Sequence, residues 1–115
     1  MIVAGFGFST KATLASLHSA YLAAGGGAAA LATLADKAGA LAPLGAALEL
    51  PVIAVDTALP DTITQSERSR AARGTGSVAE ACALAAAGPG AYLLGPRAVS
   101  DDRLATCALA RGEDT

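Results

Sequence analysis

The chain has no tryptophan, two phenylalanines and two tyrosines. With so few rings it has no aromatic platform on which to stack bases. It also lacks a strong charge of one sign. Eight Lys and Arg against ten Asp and Glu leave a formal net charge of −2, which argues against nucleic acid as a partner. The one histidine, His18, has no partner at metal-ligand spacing, and Cys82 and Cys107 do not supply one, so neither a metal site nor a resident cofactor is expected. No Walker lysine motif is present. No apolar run reaches the length of a bilayer span, because Lys11, His18, Asp36 and Lys37 interrupt the stretch around Ala28 to Ala35. The first residues lack the basic segment of a signal peptide. The expectation is a cytoplasmic protein with no membrane contact, whose two cysteines are buried free thiols.

What the chain has in plenty is alanine, about a quarter of its 115 residues, and 13 glycines. Alanine buries little area, so the core must rely on close approach of helix and sheet. The length suits one domain, taken as residues 1–115. Apolar runs and helical periodicities alternate along it. Residues 2–6 read as a buried strand. A helix capped by Ser9 or Thr10 continues to about Ala24, with Leu14, Leu17, Tyr21 and Leu22 on one face and His18 beside them. Gly25-Gly26-Gly27 makes a turn. Residues 29–34 read as a second strand. Residues 38–49 read as a helix with a Leu41, Leu44, Leu48 stripe, and Pro43 fits if it lies in the first turn. Residues 52–55 are the clearest strand. Residues 56–65 read as a loop, and 66–72 as one or two helical turns. A capped helix from Ser77 to about Ala87 stops at Gly88-Pro89-Gly90. Residues 91–94 and 104–110 read as two final strands, the last an antiparallel hairpin partner. This order predicts an α/β sandwich: a mainly parallel sheet of about five strands, the last antiparallel, with helices packed on it.

The most informative stretch runs from Arg73 to Ala81. Ser77 followed by Glu80 is a capping box, in which each residue's side chain serves the other's amide. Gly74 and Gly76 free the backbone ahead of it, so the amides of Thr75, Gly76 and Ser77 can converge beside the Arg73 charge. Helix N-termini of this kind attract anions. Ligands of such sheets bind at the C-terminal edge of the parallel strands. The first strand exits there into Gly7, Ser9, Thr10 and Lys11, the second into Asp36 and Lys37, and the fourth into Arg97. Two helix N-termini, both lysines and two arginines therefore converge in expectation on one rim, a pocket for a ligand with several carboxylates or phosphates. Asp36, Asp56 and Glu67 temper the field. Gly5-Phe6-Gly7 begins like a dinucleotide fingerprint, but Thr10 stands where the third glycine belongs and no acidic residue follows at the right distance. Ser77 has no evident general base.

Val3-Ala4-Gly5-Phe6-Gly7, Ala32 to Gly39, Gly74-Thr75-Gly76-Ser77-Val78-Ala79-Glu80-Ala81, Leu93-Leu94-Gly95-Pro96-Arg97 and Thr106 to Ala110 occur in an order that resembles the CobE family of cobalamin-biosynthesis proteins. That family is similar to the C-terminal domain of CbiG, the cobalt-precorrin-5A hydrolase of the anaerobic pathway. The resemblance spans nearly the whole chain. It departs at Phe8-Ser9, where many relatives carry cysteine and arginine, so it brings no thiol chemistry to this loop. It implies a part in building the corrin ring, with a tetrapyrrole intermediate rich in acetate and propionate arms as ligand. Lys11, Lys37, Arg97 and the Gly74 to Ser77 amides would each hold a carboxylate. Other enzymes of the cobalamin pathway are implied as partners. Two readings follow. In one the protein binds and passes on a corrinoid or precorrin; in the other it is a hydrolase or isomerase acting on a precorrin. The lack of an evident nucleophile–base pair favours the first.

Overall fold

A strand buried on both faces must offer side chains to two layers, and the first apolar run does so. In the computed structural model, which describes residues 1–55, 78–88 and 90–112, strand β1 is Ile2–Phe8. Ala4 and Phe6 enter one core and Val3 the other, the alternation expected of a strand. β1 pairs in parallel with β2 (Ala30–Leu34), and β2 with β3 (Val52–Val55). On the other flank of β1 lies the final strand, β6 (Ala105–Arg111), antiparallel along its whole length from Ile2 opposite Arg111 to Phe8 opposite Ala105. Two short pieces, β4 (Tyr92–Leu93) and β5 (Ala98–Val99), pair antiparallel to successive parts of β6. Among the described residues the sheet thus has six strands, in the order β3-β2-β1-β6-β4, with β5 also on β6. About five strands were expected. The fourth is interrupted, because Gly95 and Pro96 break its pairing and the chain resumes only at Ala98; proline has no amide to give the ladder.

Helices α1 (Leu14–Ala24) and α2 (Ala38–Leu48) cover one face, where Leu17, Tyr21, Leu41 and Leu44 pack with Phe6, Leu31 and Leu109. Helix α3 (Val78–Ala87) covers the other, with Ala81 and Cys82 against Val3 and Ala32. The described residues form one small α/β domain with a mixed sheet and three helices. Among them no helix is long and apolar enough to cross a membrane.

Four details differ from the periodicity. The cap of α1 is Thr13, not Ser9 or Thr10: its hydroxyl accepts from the Ser16 amide at 3.2 Å, and the Ser16 hydroxyl accepts from the Thr13 amide at 3.0 Å. The buried stripe of α1 is Ser16, Leu17, Ala20 and Tyr21, while Leu14 and Leu22 are exposed. Pro43 lies inside α2 rather than in its first turn. Both Pro43 and Gly39 are exposed, so water can serve the carbonyl that loses its amide partner. The expected first strand also continues two residues further, through Gly7 and Phe8. The alanine-rich segment at 30–34 is a strand as expected, and both cysteines are free and buried.

Candidate functional site

Three consecutive carbonyls at the end of β1 accept hydrogen bonds from side chains. Thr33 Oγ1, fully buried on β2, donates to Phe6 O at 2.9 Å. Thr106 Oγ1 on β6 donates to Gly7 O at 3.1 Å. Lys37 Nζ donates to Phe8 O at 2.5 Å and lies 4.9 Å from the centroid of the Phe8 ring. A single-turn 3-10 helix, Ala35–Lys37, follows β2 and carries Asp36 and Lys37. It brings the lysine back across the end of the neighbouring strand. Asp36 is exposed on the same turn.

The chain leaving β1 folds into a turn of its own. The Ser9 amide donates to Leu104 O at 3.0 Å, and the Ser9 hydroxyl accepts from the Lys11 amide at 3.0 Å. Ser9, Thr10 and Lys11 are all exposed there. On the opposite face, α3 starts over the same strand end. A side chain at Gly7 would lie 3.3 Å from Val78 Cβ and 3.4 Å from the Ala79 amide nitrogen. At Gly5 the fit is tighter: a Cβ would lie 2.1 Å from Ala79 O and 2.5 Å from Ala83 N. Gly5-Phe6-Gly7 is therefore the seat of α3 on β1, where only hydrogen lets helix and strand touch. Residues 5–7 look like part of a dinucleotide fingerprint because both motifs need a bare backbone.

The rim thus collects Phe8, Ser9, Thr10, Lys11, Asp36, Lys37 and the first turn of α3, which carries the half-buried Glu80. Arg73, Gly74, Thr75, Gly76 and Ser77, expected to lead into that turn, lie outside the described residues, as do Asp56 and Glu67 and the expected loop and turns at 56–72. Arg97 is not carried to the rim. β4 pairs with Arg111 and Ala110, opposite the start of β1, and Arg97 precedes Ala98, which pairs with Cys107. Arg97 stands midway along the edge. There it lines a cavity of about 390 Å³ with Ala23, Ala24, Leu94 and Leu109 at the other end of α1. The interrupted edge strand is the reason: the chain passes Arg97 before it reaches the rim.

Sequence reasoning missed a polar cluster beside the turn. Asp102 accepts from the Ser16 hydroxyl at 2.5 Å, the Ser100 hydroxyl at 2.6 Å and the Leu104 amide at 3.0 Å. The Ser100 hydroxyl, then the Ser16 hydroxyl and the Leu104 amide, hold its carboxyl below the usual aspartate range. This cluster ties the start of α1 to the hairpin entering β6. Ser100-Asp101-Asp102 reads as an ordinary turn, and the only sequence signal was Thr13 followed three residues later by Ser16, a box without its usual Glu or Gln.

The thiols play no part at the rim. Cys82 faces the α3 core and Cys107 the α1 core, and burial pushes each thiol up to about 12. Neither is a thiolate near neutral pH. His18 is exposed and lines the groove between α1 and α2 with Leu14, Leu44 and Leu48. Among the described residues no three of His, Cys, Asp and Glu are grouped as metal ligands.

A family model described as the cobalamin synthesis G C-terminus matches residues 2–110. Among solved structures, the chain is similar to the cobalamin biosynthesis protein chiG from Agrobacterium tumefaciens str. C58, with a TM-score of 0.73 and 34% identity over 99% of this chain and 100% of that one. It is also similar to CobE, a protein from the cobalamin (vitamin B12) biosynthetic pathway, with a TM-score of 0.70 and 32% identity over 96% of this chain and 89% of that one. No curated protein matches the sequence.

Proposed function

The chain belongs to the cobalamin synthesis G C-terminus family and is a cobalamin-biosynthesis protein of the type that chiG and CobE represent; from that premise we propose that it binds a polycarboxylate corrinoid or precorrin intermediate at the C-terminal rim of its sheet. It holds the intermediate without forming or breaking a covalent bond. The observation that carries this reading is the Lys37 ammonium, fixed against Phe8 at the end of β1 next to the exposed Ser9 to Lys11 turn and the start of α3. A part-exposed ammonium, a second lysine and a helix N-terminus on neighbouring elements form an arrangement that receives several carboxylates at once. Arg73 and the Gly74 to Ser77 amides join the site on sequence grounds alone. Arg97, midway along the edge, is left out of it.

Binding without turnover is favoured over hydrolysis or isomerisation by the state of the candidate nucleophiles. Both thiols are buried and protonated, and His18 stands in the groove between α1 and α2. The protein would then present or protect an intermediate for other enzymes of the cobalamin pathway.

The test is a spectroscopic titration of the protein with hydrogenobyrinic acid and late precorrins. A saturable, stoichiometric shift of the corrinoid spectrum with no new product is expected. A product accumulating at substoichiometric protein would replace this reading with the enzymatic one. Lys37→Ala should weaken hydrogenobyrinic acid about five- to tenfold, the loss of one part-exposed charge-assisted contact. It should leave the far-UV circular dichroism unchanged.

A further inference from the structure

We propose that Phe8 is a positioning residue, which holds the Lys37 ammonium at the end of β1 in the place where it receives a carboxylate arm. This rests on the reading of the rim as a corrinoid site. A lysine ammonium is a compact charge on a flexible four-carbon stem. Here two contacts restrict that freedom. Nζ donates to Phe8 O at 2.5 Å and sits 4.9 Å from the centroid of the ring of that same residue. Carbonyl and ring therefore anchor the cation from one position in the chain.

The anchor is local and spans two elements. Lys37 ends the 3-10 turn after β2, and Phe8 ends β1. Both are half-buried. An ammonium has three donors, and the carbonyl takes one. The ring attracts the charge through its negative face without consuming a conventional acceptor. A carboxylate that approaches this ammonium meets a charge whose rotamer is already chosen, so less ordering is lost on binding. The two neighbouring carbonyls, of Phe6 and Gly7, are served by threonine hydroxyls. At Phe8 the donor is a cation instead, on the one carbonyl of the three that lies at the rim. A role confined to capping the strand would need only the carbonyl; the ring adds a hold on the cation that capping does not require.

The test is a double-mutant cycle on the full chain, with hydrogenobyrinic acid as the probe. Phe8→Leu should weaken its binding about two- to fivefold, the range of a part-exposed cation–π contact. Phe8→Tyr, which keeps the ring face, should bind as the parent does. In the Lys37→Ala background Phe8→Leu should have no further effect. Phe8→Met, whose unbranched side chain adapts to an irregular space, serves in the same cycle if the leucine variant does not fold. Equal weakening by Phe8→Leu with and without Lys37 would overturn the proposal, because Phe8 would then touch the ligand itself. Unchanged affinity in Phe8→Leu would overturn it as well. These outcomes differ from failure of the underlying reading, in which the unmodified protein does not bind hydrogenobyrinic acid and both proposals fall together.

Discussion

Gly5 shows how far a single hydrogen atom decides the packing. A methyl group there would stand 2.1 Å from the Ala79 carbonyl oxygen, backbone that cannot swing aside. Gly5→Ala should therefore push α3 off β1 and cost about 2 kcal/mol, within the usual range for overpacking. A lowered urea midpoint with an unchanged slope would record it. The cysteines carry a second prediction at this scale. Each thiol is pushed up to about 12 by burial. At about pH 8 an aromatic disulfide reagent should find neither thiol in the native protein, and both at once in concentrated urea. Fast labelling of the folded protein would place one of them at the surface. The thiols were legible in the sequence because each sits inside an apolar pattern. The reason for Gly5 and Gly7 was not, since a bare backbone serves a phosphate and a packed helix equally well.

At the scale of elements, helix α1 is held by its first turn. Thr13→Ala removes the oxygen that receives the Ser16 amide and should cost about 1 kcal/mol, as other caps do. Asp102 then links that turn to the hairpin before β6. Its folded carboxyl titrates below the ordinary value of 3.8. The stabilisation it gives is complete above that value and is lost as the pH falls through the lower folded one. Asp102→Asn should lower the urea midpoint near neutral pH, and the two proteins should converge in acid. Parallel curves down to the lowest pH would remove the carboxylate from this role. Strands β1, β2 and β3 and helices α2 and α3 were readable from apolar runs and helical spacing. The start of α1 was not, because Ser9, Thr10 and Thr13 are all acceptable caps. What selects Thr13 is Ser16 together with Asp102, which is distant in sequence and close only in the fold. Pro43 was not placed correctly: in a helix that begins at Ala38, as expected, it is the sixth residue and lies beyond the first turn, tolerated on an exposed face.

For the molecule as a whole, the order of strands determines which loops meet. Three parallel strands and the start of β6 end at one rim. That topology sets the 3-10 turn carrying Lys37 against the end of β1, from which the Ser9 to Lys11 turn leaves. Arg97 fell outside the expectation because the edge strand breaks, and a break at Gly95-Pro96 can be seen in the sequence without revealing where pairing resumes. Among the described residues, the cavity beside Arg97 and the groove between α1 and α2 are two other places with room for a ligand. Amide chemical-shift mapping on the full chain, titrated with hydrogenobyrinic acid, separates the three directly. The account predicts shifts clustered at residues 8–11, 36–37 and 78–80. Shifts confined to Ala23, Leu94, Arg97 and Leu109, or to Leu14, His18 and Leu48, would contradict it.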